Sequence, residues 1–330
     1  MKVAVLGCGG LGRIHASIYA NMRDVELTGV CDIVQDLADD AARMTGSVAY
    51  GSFEDMLEQA EFDVISIALP SNLHKEYTIR AAKAGKHVIS EKPIALRLED
   101  AEDMIQCCEE NGVRLFVGHV VRFFPDYVNM KQAMDEGKLG RAGVAHASRI
   151  GGHPGATKAW YNELDQSGGV IVDLMIHDLD FLRWSLGEVT TVYALNRRGD
   201  LMDYALVTLQ FESGAVANVE GNWGFPGPFQ TKAEIAGSEG IVQANSLKSS
   251  SLQIHKAPSA SEASAFVTVP ESPGFHSPYE LELVHFIDCI RTGSEPIVTA
   301  RDAYKALELA LAARESAETG QVVRLPLVQR

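Results

Sequence analysis

The chain has 330 residues, which is enough for two domains of ordinary size. Its 29 Lys and Arg against 44 Asp and Glu leave a formal net charge of −15, which argues against nucleic acid or an anionic membrane as the main partner because both require a basic surface. Hydrophobic residues make up 46% of the sequence, so a packed core is expected and global disorder is excluded.

Apolar runs and cysteines indicate the compartment. The longest apolar runs, such as Val64–Pro70, are too short to span a bilayer, and the N-terminal segment lacks the cleavage pattern of a signal peptide. The five cysteines are odd in number and form no CxxC pair. We therefore expect free, buried thiols and a reducing, cytoplasmic location.

Residues 1–120 alternate short apolar runs with longer segments of helical periodicity. Runs rich in Val, Ile or Leu predict strands that are covered on both faces. Alternation of such strands with helices predicts right-handed crossovers and a doubly wound parallel sheet, the architecture of a dinucleotide-binding domain. The predicted strands are Val3–Leu6, Thr28–Val30, Val48–Tyr50, Val64–Ala68, His87–Ser90 and Leu115–Gly118, and the predicted helices are Gly12–Met22, Asp36–Thr45, Phe53–Gln59, Lys75–Ala84 and Leu98–Glu110.

Residues 121–330 show a different pattern, in which strand candidates follow one another with few helices between them. Several of these strands alternate polar and apolar residues, as in a sheet with one covered face. We predict an α+β domain on a mostly antiparallel sheet, with a terminal helix that could pack back on the first domain. The predicted strands are Ala142–Ile150, Val189–Arg197, Tyr204–Phe211, Val216–Trp223, Lys232–Ala236, Ile241–Asn245, Ser251–Lys256 and Phe266–Val269; the helices are Pro125–Glu136, Gly169–Leu186, Glu280–Arg291 and Ala300–Thr319; and the polar loops are Ser246–Ser251 and Pro258–Ser264.

A glycine-rich segment follows the first predicted strand and opens the first predicted helix. It fits GxGxxG: Gly7 would permit the tight turn, Gly9 a close approach of the backbone to a pyrophosphate, and Gly12 close packing of helix on strand. The intervening Gly10 and Leu11 belong to the same phosphate-binding loop. The free N–H groups at the start of the helix would hold the phosphates.

Asp32 predicts which dinucleotide is used. It lies 20 residues beyond Gly12, at the end of the second predicted strand. Its carboxylate can accept hydrogen bonds from a ribose hydroxyl and would repel a 2′-phosphate, and no arginine follows in Ile33–Gln35 to neutralise such a phosphate. We therefore expect NAD as the cofactor, in preference to NADP.

Two groups of residues are candidates for catalysis. Lys92 directly follows the fifth predicted strand, where ligands of doubly wound sheets bind, and it could stabilise a developing oxyanion; a solvated lysine is the alternative. Asp173 and His177 share one face of a predicted helix, where the acid could orient the imidazole as a base; a buried structural pair would show the same spacing. No metal site is expected, because Asp178 and Asp180 would lie on other faces of that helix.

Together these motifs resemble a known family almost from end to end. The chain is similar to the glucose–fructose oxidoreductase, inositol dehydrogenase and MocA (Gfo/Idh/MocA) family of NAD(P)-dependent oxidoreductases. The combination of EKP with a Gly-Gly…Asp…His helix is the specific part of this resemblance. The matching segments are GCGGLG at 7–12, PSNLHKE at 70–76, EKP at 91–93, GHVVRF at 118–123, SGGVIVDLMIHDLDFLRW at 167–184 and AEIAGSEG at 233–240.

The resemblance implies an N-terminal Rossmann domain, a C-terminal domain with a large open sheet, and a catalytic set of Lys92, Asp173 and His177. In inositol dehydrogenase-like members the matching histidine takes the hydroxyl proton, whereas in other members the lysine is favoured as the base. The resemblance adds further candidates for cofactor binding, which are Pro70, Ser71, Asn72, His74, Glu91, Lys92 and Arg122.

The substrate expected from this resemblance is a sugar or an inositol-like cyclic polyol. Free inositol is less expected, because Ile150 and Leu174 are apolar where inositol-oxidising members often have polar side chains. A nucleotide-sugar dehydrogenase and a non-catalytic NAD(P)-binding regulator are the alternatives. Candidate substrate contacts are His153, Lys158, Trp160, Tyr161 and Asp165, together with the Arg149–Tyr161 stretch and the Asn222–Gln230 loop.

The second-domain sheet also predicts self-association. With helices on one face only, the sheet would expose an apolar face, since alternation in Tyr204–Phe211 and Val216–Trp223 is incomplete. We therefore expect a homodimer or homotetramer assembled through this sheet.

Overall fold

The computed structural model describes residues 1–248, the backbone of 252–256, and residues 276–327. The predicted strand Phe266–Val269, the predicted loop Pro258–Ser264 and the end of the loop Ser246–Ser251 lie outside the described residues. The chain forms two compact units. The first unit comprises Met1–Val120, Asp165–Ser167 and Ser277–Leu307, and the second unit comprises Val121–Leu164, Gly168–His276 and Glu308–Arg330.

The helices are numbered in chain order. Their bounds are α1 (Gly10–Asn21), α2 (Gln35–Thr45), α3 (Phe53–Gln59), α4 (His74–Lys83), α5 (Leu98–Glu110), α6 (Pro125–Asp135), α7 (Leu164–Ser167), α8 (Ile176–Leu186), α9 (Pro278–Thr292) and α10 (Ala300–Thr319). None of the helices among the described residues is long and apolar enough to cross a membrane.

The first unit contains a six-stranded sheet in the order β3-β2-β1-β4-β5-β6, and every neighbouring pair is parallel. This is a Rossmann sheet, whose strand order reverses between β1 and β4 and leaves a crevice there for a ligand. This topology confirms the predicted doubly wound fold. The fold could be predicted because strands covered on both faces are rich in apolar residues. The strands are β1 (Lys2–Leu6), β2 (Glu26–Cys31), β3 (Val48–Tyr50), β4 (Val64–Ile67), β5 (His87–Glu91) and β6 (Leu115–Gly118).

The second unit contains an eight-stranded sheet in the order β13-β12-β11-β7-β10-β9-β8-β14. Only β7 and β10 run parallel, so the predicted, mostly antiparallel sheet is confirmed. The strands are β7 (Ala142–Gly151), β8 (Val189–Gly199), β9 (Met202–Phe211), β10 (Val216–Trp223), β11 (Gln230–Gly237), β12 (Gly240–Asn245), β13 (Leu252–Lys256) and β14 (Val323–Arg324).

The open face of this sheet carries some apolar side chains, as the incomplete alternation of polar and apolar residues predicts. Along β9 and β10 every second residue is buried and every residue between them is at least partly exposed. The open face mixes apolar side chains such as Leu206 with polar ones such as Glu220 and Lys232, so it is not a continuous apolar surface. Asn218 and Thr208 are hydrogen-bonded across β9 and β10 on this face.

The predicted helical segment Gly169–Leu186 is helical, but it is not one regular α-helix. Val170–Leu174 forms a π-helical segment, in which the N–H of Met175 donates to the carbonyl of Val170 over 2.9 Å, and α8 begins only at Ile176. The hydrophobic periodicity could not predict this change of helix type, because the whole segment from Val170 to Ile176 is buried and shows no polar face.

Candidate active site

The glycine-rich loop joins β1 to α1 in the first unit. Gly7 has a φ of +93°, and a Cβ at Gly12 would lie 1.7 Å from the carbonyl oxygen of Gly7, so both positions require glycine. Apart from their chain neighbours and the backbone of α1, no described residue lies within 4 Å of where a Cβ would stand on Gly9 or Gly10. The helix starts at Gly10 without a side-chain cap, so its first N–H groups and this open space fit a pyrophosphate.

Asp32 lies directly after β2 and is tied to the same loop. Its carboxylate accepts the N–H of Cys8 over 2.8 Å and the N–H of Val34 over 2.9 Å. These bonds hold the carboxylate beside the loop, where a ribose would follow the pyrophosphate. Burial raises the pKa of Cys8 to about 12, so this thiol stays protonated and is no nucleophile.

The segment after β4 contains Pro70, Ser71 and Asn72 in a tight turn that leads into α4. His74, at the start of α4, is 1% exposed and links two loops. Its Nδ1 lies 2.7 Å from the carbonyl oxygen of Pro93 and its Nε2 lies 3.0 Å from that of Leu69. Burial lowers the pKa of His74 although both carbonyls act in the opposite direction. Because both ring nitrogens face the main chain, His74 positions these loops.

Glu91 and Lys92 stand at the end of β5. The Glu91 carboxylate is 6% exposed and lies 3.3 Å from Nε2 of His15, whose Nδ1 is 2.8 Å from the Ser66 hydroxyl. Burial alone would raise the pKa of Glu91, but the neighbouring imidazole of His15 and the charge of Lys92 hold it below its usual range. Glu91 also accepts the N–H of Lys92 over 3.2 Å. Lys92 is half-buried, and its peptide bond to Pro93 is cis.

A second buried acid, Glu282 on α9, belongs to the same polar cluster in the first unit. It is fully buried, and neither carboxylate oxygen has a hydrogen-bond partner among the described residues. Burial raises the pKa of Glu282 well above its usual range, and the charge of Glu91 raises it further. The same two causes, with the charge of Glu282, raise the pKa of Tyr19 on α1. Burial therefore favours the protonated form of Glu282.

Replacing Glu282 with Gln is expected to flatten the dependence of stability on pH. A carboxyl whose pKa is raised on folding is most favourable below its unfolded value, about 4.3, and its contribution is lost as the pH rises toward the folded value. The free energy of unfolding in urea should therefore fall less between pH 5 and pH 8 in Glu282→Gln than in the wild type. Glu109→Gln, which removes an exposed acid, is the control; equal pH dependence in all three proteins would contradict the assignment.

The segment that carries Asp173 and His177 lies in the second unit. Asp173 is 6% exposed within the π-helical segment, and His177 is half-buried in the first turn of α8. Gly168 and Gly169, which precede the segment, both have positive φ values. A Cβ at Gly221 on β10 would lie 2.3 Å from Cγ of Met175, so the sheet approaches this segment closely.

Two buried ion pairs hold α8. The guanidinium of Arg149 on β7 donates to both oxygens of Asp178 over 2.9 and 3.0 Å, and that of Arg122 donates to both oxygens of Asp180 over 2.8 and 2.6 Å. All four side chains are at most 7% exposed. Asp178 and Asp180 are therefore engaged by arginines on either side of the helix. Arg122, predicted to bind the cofactor, has a structural partner in Asp180.

Aromatic side chains gather near the predicted substrate residues. Trp160 and Tyr161 stack with ring centroids 3.8 Å apart, and both Tyr161 and His153 meet the ring of Trp223 edge-on at 5.5 Å. His153 accepts the N–H of Gly155, and burial lowers its pKa, so the ring is neutral. Lys158 and Asp165 are exposed. Trp223, at the end of β10 and within the predicted Asn222–Gln230 stretch, is 3% exposed.

Comparison with known proteins covers both parts of the chain. The model described as "Oxidoreductase family, NAD-binding Rossmann fold" matches residues 1–119, and that described as "Oxidoreductase family, C-terminal alpha/beta domain" matches residues 131–325. The chain belongs to the Gfo/Idh/MocA family. Its resemblance to that family, predicted from the motifs, is thereby confirmed.

Relatives of the Gfo/Idh/MocA family align along nearly the whole chain. The scyllo-inositol 2-dehydrogenase (NAD(+)) of Bacillus subtilis is 33% identical, with 98% of this chain and 96% of that protein covered. The D-apiose dehydrogenase of Paraburkholderia graminis is 30% identical, with 98% and 89% covered. The WlbA dehydrogenase of Bordetella pertussis, solved with NADH and UDP-GlcNAcA, is 29% identical with a TM-score of 0.85 and 99% of each chain covered. This chain is an NAD-dependent dehydrogenase that acts on CH–OH groups.

Proposed function

We propose that this enzyme oxidises a secondary hydroxyl of a sugar or an inositol-like cyclic polyol. The observation that carries the proposal is the presence in one chain of an open phosphate-binding loop, Lys92 after β5, and Asp173 and His177 on a buried segment. Relatives that are 33% and 30% identical act on an inositol and on D-apiose, which supports a polyhydroxylated substrate.

In the proposed reaction, three side chains act on one hydroxyl group. His177 accepts the hydroxyl proton, because an imidazole is the natural base near neutral pH. Asp173 orients the ring and stabilises it once protonated, and Lys92 binds the reacting oxygen as negative charge develops there. The loop at 7–12 and Asp32 would hold NAD, which when bound supplies the hydride acceptor.

A substrate panel tests this proposal. The purified protein is incubated with NAD and one compound at a time from a set of inositols, pentoses and hexoses. The NADH formed is measured by its absorbance. Oxidation of at least one polyol or sugar is expected. Absence of NADH with every compound, in a protein that still binds NADH, would favour a non-catalytic regulator and overturn the proposal.

We further propose that Asp32 makes the enzyme prefer NAD over NADP. Wild-type saturation curves should give a higher kcat/KM with NAD than with NADP. In Asp32→Asn, which keeps the size and one acceptor oxygen but removes the charge, the ratio should fall at least ~10-fold, or ~1.4 kcal/mol. Asp36→Asn removes the same charge from an exposed position on α2 and should leave the ratio unchanged. A wild-type preference for NADP would contradict the assignment.

A nucleotide sugar is the second candidate substrate. It is favoured by the 29% identical WlbA dehydrogenase, which was solved with UDP-GlcNAcA. A diphosphate would need free basic side chains, and Arg198 is already 3.2 Å from the carboxylate of Asp203. Lys158 and Arg197 are exposed. UDP-sugars therefore belong in the panel, and their exclusive oxidation would replace the simple sugar as the proposed substrate.

We also propose that copies of the chain associate through the open face of the second-unit sheet. That face exposes Val144, Tyr193, Leu195 and Leu206 by 38% to 55%. Such side chains can be covered by the same face of a second copy. Light scattering should give at least twice the 35.8 kDa mass of one chain, and Leu195→Lys together with Leu206→Lys should reduce it. A monomer at all concentrations would contradict this proposal.

A reducing compartment is the last part of the proposal. All five cysteines are free and buried, which supports a cytoplasmic location.

A further inference from the structure

Asp203 makes a contact at the start of the catalytic segment that the proposed mechanism does not use. It is the second residue of β9 and is 1% exposed. Its Oδ2 accepts the N–H of Val170, the first residue of the π-helical segment, over 3.0 Å. Gly169 makes this contact possible: it has a φ of +72°, and a Cβ there would lie 2.9 Å from the same oxygen.

Two side chains of β8 also hold the carboxylate of Asp203. Asn196 donates to its Oδ1 over 2.8 Å, and Nε of Arg198 lies 3.2 Å from its Oδ2. A cavity of about 280 Å³ adjoins these residues and is lined by Gly169, Asn196, Arg198 and Asp203, among others. Because there is space beside it, packing alone does not fix the carboxylate, and these polar contacts decide its position.

The start of the π-helical segment matters for the geometry of catalysis. The bond from Met175 to Val170 spans five residues, whereas the N–H of Leu179 returns to the carbonyl of Met175 over four. The five-residue π-helical turn, which begins at Val170, therefore leads directly into the regular helix α8 that carries His177. A shift of that start by one residue would change which side chains the π-helical turn contains, and with them the direction of Asp173.

We propose that Asp203 is a positioning residue of the dehydrogenase reaction, which fixes the start of the π-helical segment and thereby sets how Asp173 is oriented relative to His177. This inference rests on the proposed function of those two residues. A helix cap that only stabilises would also accept the N–H of Val170, so the test must separate orientation from stability.

The kinetic test compares two replacements of Asp203. Asp203→Ala removes the acceptor and leaves the N–H of Val170, a residue that is 1% exposed, without this partner. The value of kcat should therefore fall about 10- to 100-fold while the Kd of NADH is unchanged. Asp203→Asn keeps an acceptor oxygen and should recover most of the lost kcat. Gly169→Ala, whose methyl group would press on Asp203, should reproduce the effect of Asp203→Ala.

Two variants control for a loss of stability or a general effect of β9. Ser52→Ala removes the side chain that accepts the N–H of Asp55 at the start of α3. The variant therefore loses the stability that a helix cap provides, in the first unit and away from Asp203. Thr208→Ala removes a hydrogen bond on the open face of β9. Both should keep the wild-type kcat. A kcat for Asp203→Ala equal to that of Ser52→Ala would overturn the proposal.

A second readout does not depend on the substrate. With ¹³C-labelled histidine, the ring of His177 is assigned among the 10 histidines by its loss in His177→Gln, and its pH titration is followed by NMR. The midpoint should move in Asp203→Ala and return in Asp203→Asn. If no sugar is oxidised but the midpoint moves, the proposed function fails and the positioning role stands. An unmoved midpoint together with wild-type kcat in Asp203→Ala would end the inference.

Discussion

Replacing His177 with Ala is expected to lower kcat at least ~100-fold, because a positioned general base contributes about 10²- to 10⁴-fold to proton transfer. Lys92→Ala should cause a loss of similar size through the lost stabilisation of the reacting oxygen. Binding of NADH should persist in both variants, since the loop at 7–12 and Asp32, which are proposed to hold its pyrophosphate and ribose, are unchanged. Steady-state kinetics and fluorescence titration of NADH measure the two quantities.

The pH profile of kcat then assigns the roles of the two residues. If His177 is the base, the variant Lys92→Ala should keep the acidic limb of the profile and His177→Ala should lose it. His146→Ala and Lys83→Ala, which remove exposed side chains of the same types, are matched controls and should keep wild-type kcat. Activity retained in both His177→Ala and Lys92→Ala would remove these residues from the mechanism.

Replacing Arg149 with Met is expected to cost about 3–5 kcal/mol of unfolding free energy, because it leaves the carboxylate of Asp178 buried without its partner. Asp178 is fully buried, and both of its oxygens accept hydrogen bonds from this one guanidinium. The measurement is equilibrium unfolding in urea at neutral pH, with the slope of the transition used to confirm that the unfolded surface is unchanged.

The double variant Arg149→Met/Asp178→Leu separates the charge from the packing. It removes both charges and should recover most of the lost stability, since apolar residues of similar volume can replace a buried pair at little cost. Arg43→Met, at an exposed pair with Asp40, should cost less than ~1 kcal/mol. If Arg149→Met were no more destabilising than Arg43→Met, the ion pair would have no structural role.

The first unit could be predicted closely from the sequence because its rules are local. Strands covered on both faces must be apolar throughout, and helices between them must be amphipathic, so both kinds of element are visible in a short window. The predicted helices Phe53–Gln59 and Leu98–Glu110 have the observed bounds. The loop at 7–12 was equally visible, since steric contact leaves glycine as the only residue for Gly7 and Gly12.

The parts that were missed depend on contacts between distant residues. Arg149 and Asp178 are 29 positions apart, and Arg122 and Asp180 are 58 apart, so no pattern in the chain pairs them. Glu282 did leave a signal: it occupies a core position of α9, four residues before the buried Phe286. An acid at such a position indicates a polar cluster in the interior.

The first unit cannot finish folding when its N-terminal part has been synthesised, because α9, which comes much later in the chain, packs in the same unit. Phe286 of α9 is fully buried, with its ring 5.0 Å from that of Phe116, and Arg114 donates to the carbonyl of Cys289 over 2.5 Å. A nascent chain of residues 1–120 would therefore expose the surface that α9 later covers. The nucleotide-binding unit can reach its final packing only after α9 has left the ribosome, so a truncation near residue 276 should weaken dinucleotide binding.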